Sequence, residues 1–228
     1  MNSNQSDESF DCDFLKPWEQ VNEPDNRNSL FNKQLADFHQ EVALLKLNDT
    51  VPRDITIQFE TTKNLYLYSW FVYRFYPVSE HHALTCIELA LRTRFESEIP
   101  KERYPRTEKP MLTTLLKYAI DIKEIKNEEF SRWQHRTYQN ACSRYENSKI
   151  QEMHNKGLDQ IELNYADVEI SDEDRDWSYI EALQEYIPYL RNHYAHGSTT
   201  LHNQVLDVIR TASEIINQIY PAAISSPS

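Results

Sequence analysis

A short stretch near the C-terminus holds the side chains best suited to chemistry. In residues 189–198, which read YLRNHYAHGS, Arg191 lies five positions before His196, and Asn192 follows Arg191 directly. Arginine offers a fixed set of donors that fits phosphate oxygens in pairs, and histidine has the ordinary side-chain pKa nearest neutrality. The stretch therefore predicts a phosphate-binding group beside a proton-transfer group.

Helical geometry tests whether these groups can act together. On an ideal helix Asn192 and His196 share one face, whereas Arg191 lies about 140° from His196. Arg191 then reaches the same point only through its long stem or through an irregular helix. Pro188 and Gly197 favour irregularity, because proline lacks a backbone donor and glycine commonly follows a helix end. The helix dipole would also favour a protonated histidine in the last turn.

The string Leu-Arg-Asn-x-x-Ala-His-Gly at 190–197 resembles the signature of the HEPN superfamily, all-helical domains found widely in bacterial toxins and phage-defence proteins. The segment 65–73, LYLYSWFVY, leading to 87–92, IELALR, is similar to the leading helices of large bacterial HEPN-like proteins. The resemblance covers roughly residues 65–221 and leaves residues 1–60 without a counterpart. It implies a dimeric, metal-independent ribonuclease that needs no cofactor.

The resemblance also implies roles for the motif residues in RNA cleavage by internal transesterification. His196 would take the proton of the ribose 2′-hydroxyl or deliver one to the leaving 5′-oxygen, and Arg191 would stabilise charge on the phosphate. Asn192 would orient His196 or the phosphate. Two protomers would form the cleft, so that one histidine from each chain shares acid and base duties.

The resemblance further suggests an antitoxin or defence-system protein as a partner. One subgroup carries a tyrosine two residues after the motif histidine, where a partner antitoxin attaches a nucleotide. Ser198 occupies that position here. This form of control is therefore not expected.

Glu88 lies inside an otherwise apolar run and needs a partner, because burying an isolated carboxylate is expensive. Some relatives use a glutamate from an earlier helix to orient the motif arginine, which would pair Glu88 with Arg191. Helical spacing equally favours Arg92, four residues later. Both partners remain open at this stage.

A second candidate surface for RNA lies upstream of the motif. Arg132, Arg136 and Arg144 alternate with aromatic residues, a pattern that suits backbone tracking and base stacking along single-stranded RNA. A core-facing aromatic stripe with a basic outer face explains the same residues somewhat better. His193, inside the motif, is expected to face the cleft or solvent.

Metal and disulfide chemistry are not expected. His193, His196 and His202 are not joined by a carboxylate or thiolate at a recognised spacing. The cysteines are odd in number, far apart and without a Cys-x-x-Cys pair. We predict small buried residues at two of the three positions, Cys86 and Cys142, and make no assignment for Cys12.

Composition bounds the class of protein. Only 2 glycines occur in 228 residues, which argues against a turn-rich all-β fold and favours long helices. The net charge of −12 argues against a general nucleic-acid binder, but the acids concentrate in 1–29 and 158–186. Neither a signal peptide nor a run of roughly 18 apolar residues occurs, so we expect a cytoplasmic protein away from membranes.

Apolar periodicity predicts an all-α bundle of roughly six helices over residues 30–221, and the resemblance implies that two copies pair about a two-fold axis. A mostly mobile acidic segment would precede it at 1–29, and a flexible tail would follow at 222–228. The first expected helix begins at Asn28-Ser29, the second runs from Asp54 to Phe95 with a kink or break at Pro77, and the third begins at Pro110. The fourth runs from Glu128 to Lys156, the fifth begins at Asp174 or Asp176, and Ser198 to Thr200 cap the last.

A function of another class competes with catalysis. A dimeric helical module that binds RNA, nucleotide or a protein would show the same periodicity, and so would a purely structural interaction protein. Convergence of Arg191 and His196 in a locally basic cleft would favour the ribonuclease.

Overall fold

The computed structural model describes residues 13–31, 33–197 and 200–223. These residues form an all-α fold without strands, which confirms the predicted fold class. The helices are α1 (Leu35–Ala43), α2 (Arg53–Tyr68), α3 (Phe75–Phe95), α4 (Leu112–Asp121), α5 (Ser131–Asn155), α6 (Tyr179–Ala195) and α7 (Leu206–Ile219).

Helix α3 is the central element. It packs against α2, α4, α6 and α7, and its fully buried side chains point in several directions. A helix that is apolar on most sides belongs inside a bundle, since no single neighbour can cover it. Both of its embedded glutamates, Glu80 and Glu88, therefore lie against other helices rather than in open solvent.

The long helix expected after Asp54 is two helices that pack against each other. The chain turns between α2 and α3, before Pro77, and Pro77 lies in the first turn of α3, where a missing backbone donor costs nothing. A residue from the segment before α1 holds this turn in place: buried Asn28 donates through Nδ2 to the carbonyls of Ser69 at 3.1 Å and Trp70 at 2.8 Å. The break was thus predicted but misplaced.

The packed part of the chain reaches back before residue 30. Asp25 is buried and receives two hydrogen bonds from the Arg27 guanidinium, at 2.8 and 2.7 Å. Arg27 and Arg74 also both bind Asp13. For residues 1–12, which lie outside the described part of the chain, the expectation of mobility stays a prediction.

Two other helix starts were misplaced, each by several residues. The first helix begins at Leu35 with Gln34 as its cap, not at Asn28-Ser29. The last begins at Leu206, so Thr200 does not cap it, and Ser198 lies outside the described residues. Asn28 instead binds the turn between α2 and α3, and His202, which precedes α7, contacts Glu80 of α3.

Helix α5 begins three residues later than expected and ends as expected. Gly157 has a φ of +65°, a left-handed conformation that a glycine adopts without strain. Cys86 is buried, and burial raises the pKa of its thiol to about 11. Cys142 is partly exposed, so the prediction that it is buried was wrong, while Cys12 lies outside the described residues.

Candidate functional site

Helix α6 carries the motif and is anchored along its length. Ser178 caps it, its Oγ accepting from the Glu181 backbone N–H at 3.2 Å, so the expectation that Asp174 or Asp176 opens the helix was wrong. Asp174 is buried elsewhere, against α5. The apolar stripe of α6 faces the core through Leu183, Ile187 and Leu190. The helix continues through Pro188, so proline does not interrupt it before the motif.

The C-terminal end of α6 falls on the motif histidine. His196 is the cap residue, and its backbone N–H donates to the Asn192 carbonyl at 3.1 Å. Gly197 follows with a φ of +86° and donates to the Tyr194 carbonyl at 3.1 Å. This left-handed position suits glycine and directs the chain away from the helix axis. The His196 side chain is exposed at the helix end.

Glu88 binds both of its candidate partners. Its Oε2 accepts from Arg191 Nε at 3.0 Å, and its Oε1 accepts from Arg92 Nη2 at 2.9 Å. The carboxylate is mostly buried, with 17% of its side chain exposed, whereas 38% of the Arg191 side chain is exposed. Glu88 therefore fixes the inner edge of the Arg191 guanidinium and leaves its outer part accessible.

A small pocket of about 350 Å³ opens at this guanidinium. Within the described part of the chain, neither Nη group of Arg191 donates a hydrogen bond, so both are available to a ligand. Three cationic side chains line the pocket and one acidic side chain joins them. The cations are Arg92, Lys109 and Arg191, the acid is Glu88, and Pro188 and Asn192 also line the pocket.

The predicted site residues are only partly brought together. Asn192 is exposed and lines the same pocket as Arg191 and Glu88, but the pocket lining does not include His196. His193 is half-buried, and its ring stacks on Tyr189 with centroids 6.0 Å apart. Within one chain, His196 thus lies beyond the pocket that holds Arg191.

Sequence reasoning missed a second polar cluster beside the motif. Fully buried Glu80 accepts at Oε2 from the Tyr194 hydroxyl, and His202 Nε2 lies 3.0 Å from the same oxygen. Burial, followed by the bond to Glu80, raises the pKa of the Tyr194 hydroxyl above its ordinary value. Glu80 sits in the same apolar run as Glu88, so the rule that buried carboxylates need partners was the available signal.

Two neighbouring histidines of α3, His81 and His82, are partly buried. Burial, reinforced by the charge of Arg191, lowers the pKa of His81. Burial, reinforced by His81, lowers the pKa of His82, whose Nδ1 lies 2.9 Å from Thr62 Oγ1. Both imidazoles are thereby biased towards the neutral form.

The three arginines of the predicted RNA surface are exposed and in contact with acidic or aromatic groups. Arg144 binds Asp174 through Nε at 3.1 Å and Nη2 at 2.8 Å, and that hydrogen bonding holds the pKa of Asp174 below its usual range. Arg136 lies 4.7 Å from the Trp177 ring and Arg132 lies 5.8 Å from the Tyr179 ring. Arg144 therefore links α5 to the segment before α6, where Asp174 lies.

Arg132 and Arg136 line a cleft of about 1640 Å³ between α5, α6 and α7. Aromatic side chains dominate the α6 side of the cleft, and acids lie among its polar residues. The aromatic residues are Trp177, Tyr179, Tyr186 and Tyr189, and the acids are Glu146, Glu185 and Asp207. The cleft is long and amphipathic, with cations confined to the α5 side.

Among the described residues, no helix has both the length and the apolar character needed to cross a bilayer. Nor do three or more His, Cys, Asp or Glu side chains of those residues gather in a way that would hold a metal ion. A scan against protein-family models matched none, and searches of curated proteins and of solved structures returned no match.

Proposed function

We propose that this protein is a metal-independent endoribonuclease of the toxin or phage-defence type. The observation that carries the proposal is the contact between Glu88 and Arg191, which holds Nε at 3.0 Å and leaves both Nη groups free where Arg191 lines a small pocket. A guanidinium fixed at one edge is pre-organised for the paired oxygens of a phosphate. The resemblance of the motif to HEPN ribonucleases supports the same reading.

In the proposed reaction the ribose 2′-oxygen attacks the adjacent phosphorus. Its proton passes to an imidazole, the bond from phosphorus to the 5′-oxygen breaks, and an imidazolium protonates that leaving oxygen. Arg191 stabilises the charge that builds on the phosphate, and Asn192, which lines the same pocket, orients the phosphate or His196. The products are a 2′,3′-cyclic phosphate and a 5′-hydroxyl.

A homodimer completes the site in this proposal. His196 is exposed at the end of α6 and lies outside the lining of the Arg191 pocket of its own chain. A two-fold axis near the end of α6 would bring the two copies of the motif together, because an isologous interface repeats each surface patch. His196 of one chain would then serve beside Arg191 of its partner.

Local charge supports an anionic substrate despite the net charge of −12. Arg92, Lys109 and Arg191 surround the pocket, and the opposing carboxylates are Glu88 inside it and Glu96, which binds Arg92 and Lys109. Cations therefore outnumber acids at the mouth of the pocket. The field there favours a phosphate even though the rest of the protein repels RNA.

The test is cleavage of mixed tRNA and mRNA by the purified protein in EDTA, with analysis of the new ends. We expect 2′,3′-cyclic phosphate ends from the wild type and none from Arg191→Ala or His196→Ala. Arg94→Ala removes one charge from a partly exposed position of α3, and His154→Ala removes one imidazole from an exposed position of α5, so they serve as matched controls. Intact RNA with every protein would refute the catalytic proposal for these substrates.

The large cleft favours one alternative, a helical module that binds RNA, nucleotide or a protein without cutting it. Its volume of about 1640 Å³ and its aromatic wall are suited to an extended ligand. In this case RNA would bind without cleavage. Arg136→Ala would weaken that binding, whereas Arg191→Ala would not.

A further inference from the structure

The cluster formed by Glu80, Tyr194 and His202 has no part in the reaction as proposed so far. Glu80 is fully buried, and its Oε1 has no hydrogen-bond partner among the described residues. A buried carboxylate is costly unless it is paired, and a half-satisfied one is costlier still. The fold thus maintains this group beside the motif at the expense of stability.

The hydrogens of the cluster can be assigned from its contacts. The Tyr194 hydroxyl has one proton, which it donates to Glu80 Oε2, and an ionised carboxylate only accepts. His202 Nε2 lies 3.0 Å from that oxygen and 3.2 Å from the Tyr194 oxygen, and with a carboxylate at Glu80 both contacts are satisfied when Nε2 carries the hydrogen. When the ring is neutral, Nδ1 is therefore the nitrogen that accepts a proton.

We propose that His202 is a second proton-transfer residue of this site, with Glu80 as the positioning residue that fixes its tautomer. The proposal rests on the ribonuclease function above. Buried Glu80 orients the ring through Nε2, in the way a carboxylate orients the base of a catalytic triad. His202 itself keeps 34% of its side chain exposed, so a ligand can reach it.

The cluster adjoins the Arg191 site. Tyr194 follows Arg191 by three residues, so both project from neighbouring positions of α6 towards α3, where they bind Glu80 and Glu88 respectively. The ring of His81 lies 6.0 Å from that of Tyr194, and the positive charge of Arg191 lowers the pKa of His81. The guanidinium and the cluster thus lie at neighbouring contacts between α6 and α3, although neither Tyr194 nor His202 lines the Arg191 pocket.

In this scheme His202 Nδ1 takes the proton of the 2′-hydroxyl while the bond from the 2′-oxygen to phosphorus forms. The bond to the 5′-oxygen breaks, and protonated His196 gives its proton to that oxygen. Exchange with water then removes the proton from His202 and restores the one on His196.

A structural link predicts the same contacts, since Glu80 also ties the connection between α6 and α7 to α3. The substitution His202→Gln separates the two roles. The glutamine amide nitrogen replaces Nε2 and keeps the donor to Glu80, but it takes up no proton. A structural link would survive this change, and a proton-transfer residue would not.

The experiment measures RNA cleavage from pH 5 to 9 for the wild type, His202→Gln, Arg191→Ala and the exposed control His154→Gln. We expect His202→Gln to lower the rate by at least about 100-fold and to lose one of the two ionisations in the pH profile. His154→Gln should match the wild type. A second variant, His202→Ala, allows for the case in which the glutamine packs poorly. Added imidazole should raise the cleavage rate of His202→Ala at least about 10-fold.

Two outcomes would overturn the inference, and they are distinguishable. If the wild type cleaves, Arg191→Ala does not, and His202→Gln keeps its rate and both ionisations, Glu80 and His202 form a structural link while the proposed function stands. If the wild type leaves RNA intact, the proposed function and this inference fail together.

Discussion

Arg191 Nε donates to Glu88 Oε2 at 3.0 Å, and this contact joins two helices through residues that are 103 positions apart in the chain. Glu88 uses its other oxygen for Arg92, one turn along its own helix. The carboxylate is thus shared between a local partner and a distant one. Of these two arginines, only Arg191 belongs to the motif.

Removal of the Glu88 carboxylate should release Arg191 from its pose. We expect Glu88→Ala to lower RNA cleavage at least about 10-fold, because a displaced guanidinium meets the phosphate in fewer productive geometries. Unfolding free energy should fall by roughly 1–3 kcal/mol through the lost charged hydrogen bonds. Cleavage rates and urea titrations measure both effects.

The matched control for that change is Glu98→Ala, which removes a carboxylate paired with Arg94 at the exposed end of α3. It should leave cleavage unchanged. Normal activity of Glu88→Ala, with Arg191→Ala inactive, would show that Arg191 needs no support from Glu88.

Replacement of Arg191 by lysine keeps the positive charge but removes the planar set of donors that a guanidinium offers. Lysine cannot bind Glu88 through one nitrogen and present two further donors in a plane. We expect Arg191→Lys to cleave RNA roughly 100-fold more slowly than the wild type, with little change in stability. Arg94→Lys, at an exposed ion pair, is the control. Wild-type rates for Arg191→Lys would mean that a point charge suffices.

Asp174 braces α5 against the chain before α6, and its contribution should depend on pH. The hydrogen bonds from Arg144 hold its pKa below the ordinary value of 3.8, against the opposing effect of burial. Its stabilisation is therefore complete above about pH 4 and is lost as the pH falls through the lower folded-state pKa. Asp174→Asn should lose roughly 1–3 kcal/mol of unfolding free energy at pH 7 and converge with the wild type in acid.

Urea titrations between pH 7 and pH 2 test this dependence. Asp172→Asn is the control, since Asp172 is fully exposed and pairs only with Arg175 among the described residues. A constant difference between Asp174→Asn and the wild type across this range would contradict the prediction.

His82 should make the fold sensitive to mild acid. Burial lowers its folded-state pKa below 6.5, so the unfolded chain takes up the proton first. Stability is then complete above about pH 6.5 and falls as the pH drops below that value. His82→Gln should lose less unfolding free energy than the wild type between pH 7.5 and 5, as measured by urea titration. His39 is exposed, so His39→Gln is the control. If the wild type, His82→Gln and His39→Gln all lost the same unfolding free energy over this pH range, His82 would not be the source of the acid sensitivity.

The sequence alone carried the local features of the fold. Scarce glycine and apolar periodicity predicted an all-α bundle, and Gly157 marked the end of α5. These signals are short-range, because helix periodicity and caps depend on residues a few positions apart. Helix starts were less predictable: Asn28 resembles a cap but instead binds the turn between α2 and α3.

Chain-local signals also picked out the motif and the embedded Glu88, but they could not choose between Arg92 and Arg191. The tertiary structure gave Glu88 both partners, and it showed that Glu80 binds Tyr194 and His202. Contacts between residues over 100 positions apart depend on how helices pack, and spacing along the chain does not encode that directly. The sequence by itself thus determined which groups can do chemistry, and only the packing of α6 on α3 decided which of them meet.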